Sequence, residues 1–391
     1  MPDGSTPTPE TSNDVLAATP APRPGVVGVI VNPIAGKDIR RLSTGATHTP
    51  DTTKMGIVRR IVAAAAESGA TELLLADDPH RLARRAIERL DLPSSAEVRL
   101  LSDHVRGSRT DTISAAAEMR SLGASVVLVL GGDGTCRDAA TGWPDIPLIA
   151  ISTGTNNVYP TAVDGTSAGV AAGLIASGAV DLDRVGQRTK RIVVHIAVAG
   201  SSTEIDDVAL VDLALIDQTF VGARAVKEPE TIKVVVAAIG EPGSTGLSSI
   251  AGRTHPIDRH VRGGVAITMA HHGDENIARR VRVPLSPGTF DTLDLADVRP
   301  IDDGEPFVLR GPGVLAFDGE RDVPIGADAV VTATIGRSGP ILIDVMKTLM
   351  LAANHERFDV ASEIETLSEA DSATSTSTST NVSPERAPDA N

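Results

Sequence analysis

The stretch VVLVLGGDGTCRDAA, residues 126–140, decides how the chain is read. An apolar run ends abruptly in Gly131-Gly132-Asp133-Gly134-Thr135, and a mixed polar run follows. A short continuous apolar run closed by glycines predicts a strand buried on both faces, and such strands belong to parallel sheets covered by helices. In open sheets of this kind, ligands bind beyond the carboxyl ends of the strands. Gly131, Gly132 and Gly134 allow a phosphate close to the backbone, and the N–H groups that open a following helix can hold an anion. Asp133 alone would repel that anion. Two roles fit it: a cap on the helix, or a working carboxylate that accepts a hydroxyl proton or holds Mg2+ beside phosphates. Thr135 adds a hydroxyl donor.

Outward from this stretch the same alternation repeats. GVVGVIVNP, TELLLADD, AEVRLLS and PLIAIS read as strands, with TTKMGIVRRIVAAAAESG, PHRLARRAIERL and TDTISAAAEMRSLG as helices between them. The fold class expected for residues 25–160 is therefore α/β, a Rossmann-like parallel sheet that binds nucleotide. A further helix, TSAGVAAGLIASG, follows. From about residue 181 short strands such as RIVVHIAVAG, DDVALVDLALID and TIKVVVAAI are separated by Gly, Pro and Asp turns. Residues 161–338 are expected to form a β-rich second domain of antiparallel sheets. Residues 339–361 return to helical spacing and are expected to pack back on the first domain. Residues 1–24 and 362–391 read as a disordered leader and tail, rich in Ser, Thr, Pro and acidic residues.

Two more turns leave predicted strands as the first does. VNPIAGK, residues 31–37, offers Asn32, Gly36 and Lys37. STGTNNVYP, residues 152–160, offers Gly154, Thr155, Asn156 and Asn157. Each alone fits an Asx turn. Together they converge on one sheet edge, and convergence of this kind makes a pocket.

Composition narrows the partners. The 391 residues carry a formal net charge of −15, which speaks against nucleic acid and anionic membrane surfaces as main partners. Only 2% of residues are aromatic, so the cores are expected to be built from Val, Ile, Leu and Ala. The single cysteine excludes an internal disulfide framework. The N-terminus is acidic and Pro-rich, not basic then apolar, and a cytoplasmic location is expected.

GGDGT followed by STGTNNVYP resembles the superfamily that joins NAD kinases to diacylglycerol and sphingosine-type lipid kinases. With VNPIAGKDIRRL, FVGARAV and GLSSIAG the chain is most similar to the ATP-NAD kinase/AcoX branch, named for its acetoin-catabolism X members, over about residues 25–357. The resemblance implies that residues 161–338 are a substrate domain built as a β-sandwich, with the GGDGT loop in the cleft beside it; it implies an ATP-dependent kinase acting on a hydroxyl, most simply the ribose 2′-OH of NAD, with Mg2+ on the phosphates and a homo-oligomeric assembly. It implies that Asp133 activates the acceptor hydroxyl or ligates Mg2+. PGSTGLSSIAG is similar to an NAD-kinase segment at Gly243, Ser244 and Thr245, with Leu247 where that family has Tyr. Asp212 and Val211 stand where NAD kinases carry Glu and Asn. FDGERDVP resembles the Asp-Gly-Glu stretch of bacterial lipid kinases, which implies a binding role for Asp318 and makes Glu320 an alternative base on a lipid or small alcohol. A non-catalytic nucleotide-binding accessory protein linked to acetoin catabolism is the alternative from another class.

Overall fold

The computed structural model describes residues 21–36, 49–103, 105–154, 157–200, 204–218, 229–270 and 277–359. Lys37, Thr155, Asn156, the tail and most of the leader lie outside the described residues.

The first half alternates as its apolar runs demand. It comprises β1 (Val26–Val31), α1 (Asp51–Glu67), β2 (Glu72–Ala76), α2 (Leu82–Ile87), β3 (Glu97–Leu101), α3 (Arg109–Ser121), β4 (Val126–Gly131), α4 (Asp133–Gly142), β5 (Pro147–Ser152), α5 (Gly165–Ala176), the single turn α6 (Leu182–Val185) and β6 (Gly186–Arg188). The second half comprises β7 (Arg191–Val198), β8 (Glu204–Ala209), β9 (Asp212–Ile216), β10 (Ile232–Ala237), α7 (Ser248–Thr254), β11 (Gly264–Met269), β12 (Arg279–Ser286), β13 (Thr289–Ile301), β14 (Pro306–Arg310), β15 (Gly313–Phe317), β16 (Glu320–Ile325) and β17 (Ala329–Gly336). The described chain closes with β18 (Ile341–Ile343) and α8 (Val345–Asn354).

The first sheet has the order β3-β2-β1-β4-β5-β18-β6, parallel except for β6. Strand β4 is buried throughout, and its pleat divides it. Val127 and Val129 face α3 and α4, whereas Val126, Leu128 and Leu130 face α1 and α5. Helix α5 meets α1 at backbone distance because glycines recur every four residues on one stripe. A Cβ on Gly165, Gly169 or Gly173 would lie 2.9, 2.5 or 2.5 Å from the carbonyl oxygens of Ile57, Ile61 and Ala65. Gly169→Ala is expected to destabilise the protein by about 1–3 kcal/mol, since two helix backbones must separate to admit one methyl group. A thermal melt checks it, and an unchanged midpoint would contradict this packing.

Helix α5 and strand β6 lie beyond residue 160 yet belong to this layer, and α5, nearly all apolar, covers the sheet. The segment ILI, expected as part of a closing helix, instead forms β18 against β5 before α8 begins. Val345 and Ala352 of α8 then join the core beneath α5.

The second half forms two antiparallel sheets, β12-β13-β11-β10-β9-β15-β16 and β14-β17-β7-β8. Leu213, Leu215, Leu315 and Phe317 face Ile192, Val194, Val331 and Ile335 in a core that runs on into the α3 and α4 side of the first sheet. The architecture is thus an α/β unit with a β-sandwich, as the alternation and the family resemblance together imply. DDVALVDLALID departs from its expected single strand: β8 and β9 lie in different sheets. Between them the carboxylate of Asp318 accepts the N–H groups of Leu210, Val211 and Asp212, which turns the chain from one sheet to the other. Among the described residues no helix is long and apolar enough to cross a membrane.

Candidate active site

Three strand ends meet at the edge above β1, β4 and β5. After β1, Asn32 folds into an Asx turn, its Oδ1 accepting the N–H groups of Ile34 (2.9 Å) and Ala35 (3.3 Å). Its Nδ2 donates to Thr135 Oγ1 at 2.8 Å and ties this turn to the one after β4. Lys54 of α1, fully buried, donates from Nζ to the carbonyls of Asn32, Pro33 and Ala35 at 3.1, 2.8 and 2.6 Å. Gly36 takes φ +74° against the carbonyl of Thr153, where a Cβ would come within 2.6 Å. After β5, Asn157 Nδ2 donates to Ser152 Oγ at 2.6 Å. Its Oδ1 fills space beside two glycines, 2.9 Å from a Cβ built on Gly132 and 2.5 Å from one on Gly154. Gly131 is needed because Thr135 folds back over it, 2.4 Å from where a Cβ would stand.

Asp133 opens α4, and its side chain turns to the loop after β5 instead of capping its own helix. Oδ1 accepts from Val158 N (3.0 Å) and Tyr159 N (2.8 Å), and Oδ2 shares the Val158 N–H at 3.1 Å. Burial pushes its pKa up to about 7; the two N–H groups oppose this, and the charge of Asp318 adds to it. Asp318 is likewise raised by burial, against the pull of Arg137 and three backbone N–H groups. Its φ of +50° sets the turn between β15 and β16.

Asp133 and Asp318 line a pocket between the α/β unit and the sandwich, together with Val158, Asp212, Thr245, Leu247, Ser248 and Leu285. It holds about 450 Å³ of space, part of it open to solvent. Glu320 stands beside it, its carboxyl carbon 3.6 Å from a Cβ built on Gly134 at the head of α4. Among the residues expected on the acceptor side, Asp212, Thr245 and Asp318 line this pocket; Gly243 and Ser244 are not among its lining residues. Among the described residues no group of three His, Cys, Asp or Glu side chains is placed to hold a metal ion. Mg2+ held on nucleotide phosphates takes only one or two carboxylates from a protein, and Asp133, Asp212 and Asp318 share this pocket.

Residues 27–178 match the family model described as the ATP-NAD kinase N-terminal domain, and residues 190–338 match the acetoin catabolism protein X C-terminal domain. The chain is 34% identical over 347 residues to acetoin catabolism protein X of Cupriavidus necator, a match covering 84% of this chain and 93% of that protein. The chain belongs to the acetoin catabolism protein X family. A crystal structure of yeast NADH kinase complexed with NADH also matches, at TM-score 0.48 and 11% identity, over 93% of this chain and 90% of that one.

In this acetoin catabolism protein X family member, four site-forming residues lack a sequence motif. Lys54 reads as an ordinary charged helix position, yet it gathers the first turn. Arg137, 1% exposed, lies one helical turn after Asp133, donates to the Phe317 carbonyl at 3.1 Å and stacks over the Phe317 ring. Arg259 donates to the carbonyls of Val158 (2.7 Å) and Tyr159 (3.2 Å), and Glu241 pairs with it at 2.9 Å. The one available signal is position: Glu241 immediately precedes the PGSTG segment.

Proposed function

We propose that this protein is an ATP-dependent kinase that transfers a phosphoryl group to the ribose 2′-OH of NAD+. One observation carries the proposal: Asp133 lies in the pocket between the two units, immobilised by the N–H groups of Val158 and Tyr159, with its pKa raised to about 7. A carboxyl of that pKa is a far better proton acceptor at neutral pH than an ordinary one, and it is still ionised in about half of the molecules. The acceptor oxygen attacks the γ-phosphorus, its new O–P bond forms as the bond to the β-phosphate oxygen breaks, and its proton passes to Asp133. The chain's own contribution is positioning. The turn holding Asn32, the Gly131 to Thr135 turn and Asn157 form the nucleotide side, and Asp212, Thr245 and Asp318 the acceptor side. Mg2+ would arrive on the nucleotide's phosphates and neutralise their charge. The family-model match over residues 27–178 supports the nucleotide side.

A second acceptor is favoured by one specific feature, the Glu320 carboxyl beside Gly134, which suits a base acting on a lipid or small alcohol. Purified protein with ATP and Mg2+ is offered NAD+, NADH or diacylglycerol in turn, and NADP(H) or phosphatidate is measured. NADP+ formation is expected. Phosphatidate formation lost in Glu320→Gln, or tight NAD+ binding without turnover, would overturn the proposal.

A further inference from the structure

The loop that holds Asp133 is itself held from the opposite side. Val158 and Tyr159 offer their N–H groups to Asp133 and their carbonyls to Arg259. Arg259 comes from the sandwich side, five residues after α7 ends, and crosses to the α/β unit. Its guanidinium is a planar fork, so one side chain can reach both carbonyls and still present Nε and Nη2 to Glu241. Only 12% of the Arg259 side chain is exposed, compared with 36% for Glu241. Glu241 stands at the entrance to the segment whose residues Thr245 and Ser248 line the pocket. The chain Glu241, Arg259, the Val158–Tyr159 peptide and Asp133 thus joins the acceptor wall to the carboxylate on the facing unit.

We propose that Arg259 is a positioning residue of the site, clamping the peptide that joins Val158 to Tyr159 from the sandwich so that its N–H holds Asp133 toward the acceptor. This rests on the reading of Asp133 as the proton acceptor. A free arginine head elsewhere would not serve. The Val158 carbonyl that Arg259 holds and the Tyr159 N–H that Asp133 accepts belong to one planar peptide and point opposite ways, while the Tyr159 carbonyl, ahead of Pro160, gives the second donor of the guanidinium a fixed anchor on the same loop. The positive charge also favours ionised Asp133, opposing burial and the charge of Asp318. The other groups about Asp133 are Asp212 at the start of β9, Glu320 at the start of β16, and Cys136 and Arg137 on α4. Their contributions are common to variants at position 259 and cancel in a comparison made with and without Asp133→Asn.

The test has two arms. Urea unfolding between pH 5 and 9 is run on the wild type and Arg259→Met, each with and without Asp133→Asn. The difference within each pair isolates the titration of Asp133. Its midpoint, near pH 7 in the wild type, is expected to rise by about one unit in Arg259→Met, since a lost cation disfavours the charged form. Arg259→Lys keeps the charge and is expected to bring the midpoint back. In the kinetic arm, Arg259→Met is expected to lower kcat for NADP+ formation about tenfold at pH 7, with KM for NAD+ changed less, and to move the pH profile upward. If Arg259→Met does not fold, Arg259→Gln is read in its place with the same upward shift. A folded Arg259→Met with the wild-type midpoint would overturn the clamp. Absence of phosphoryl transfer in the wild type would sink the kinase reading alone, because the unfolding arm still decides whether Arg259 acts on Asp133.

Discussion

Asp133→Asn is expected to reduce NADP+ formation by about 10²–10⁴-fold, the span attributable to a lost general base, while leaving the protein folded. Asparagine keeps an Oδ1 that accepts the N–H groups of Val158 and Tyr159, so the loop retains its anchor. What disappears is proton affinity at the pocket face. The same substitution has an opposite effect on stability. The Asp133 carboxyl titrates near its ordinary 3.8 when the chain is unfolded and near 7 when it is folded. Between those values the native state binds the additional proton, so stability falls as pH rises through this window and the penalty is complete above it. At about 1.4 kcal/mol per pH unit, that penalty reaches about 4 kcal/mol. Asparagine cannot ionise and escapes it. Relative to wild type, Asp133→Asn is expected to gain stability progressively from pH 4 to pH 7 and to hold the gain at pH 8. Denaturant midpoints across that range check it. A variant uniformly less stable at every pH would mean that the buried carboxylate is held for structure, not poised for chemistry.

Lys54→Met is expected to cost about 3–5 kcal/mol. Three carbonyl oxygens lose a charged donor worth ~1.5–3 kcal/mol when it serves one acceptor, and less apiece when one ammonium is shared. Met fills the volume but offers no hydrogen. The carbonyls of Asn32, Pro33 and Ala35 would turn away in search of water, carrying Asn32 off Thr135. Nucleotide affinity is expected to fall with stability, because the first and second turns are joined through that bond. Urea unfolding with an unchanged slope reads the first effect and nucleotide calorimetry the second. A loss under 1 kcal/mol would show that the turn holds its shape without the ammonium.

Strand β4 and its glycine turn are legible in the sequence because burial on both faces leaves no polar position in VVLVL, and only small residues fit against Thr135 and Asn157. The convergence of the β1, β4 and β5 turns follows from parallel topology, which sends every carboxyl end to the same edge. The break between β8 and β9 is not legible. VALVDLAL is apolar on both sides of it, and the group that turns the chain is Asp318, over a hundred residues away. Lys54, Arg137 and Arg259 escape for the same reason. Each uses its charge on backbone carbonyls distant in sequence, and no local pattern distinguishes such a side chain from a solvated one. Helix α5 is legible as a helix, but its membership of the first layer depends on the glycine stripe finding the Ile57 and Ile61 carbonyls of α1.

In the proposed reaction the pocket between the two units presents Asp133 to an acceptor hydroxyl. A crystal structure of the protein with NAD+ bound tests it most directly. The account predicts a ribose hydroxyl within about 2.6–3.2 Å of the Asp133 carboxylate, the reach of a proton acceptor, with Leu247 and Val158 against the nucleoside. NAD+ seated away from Asp133, Asp212 and Asp318, or entering this pocket with its pyrophosphate foremost, would contradict it.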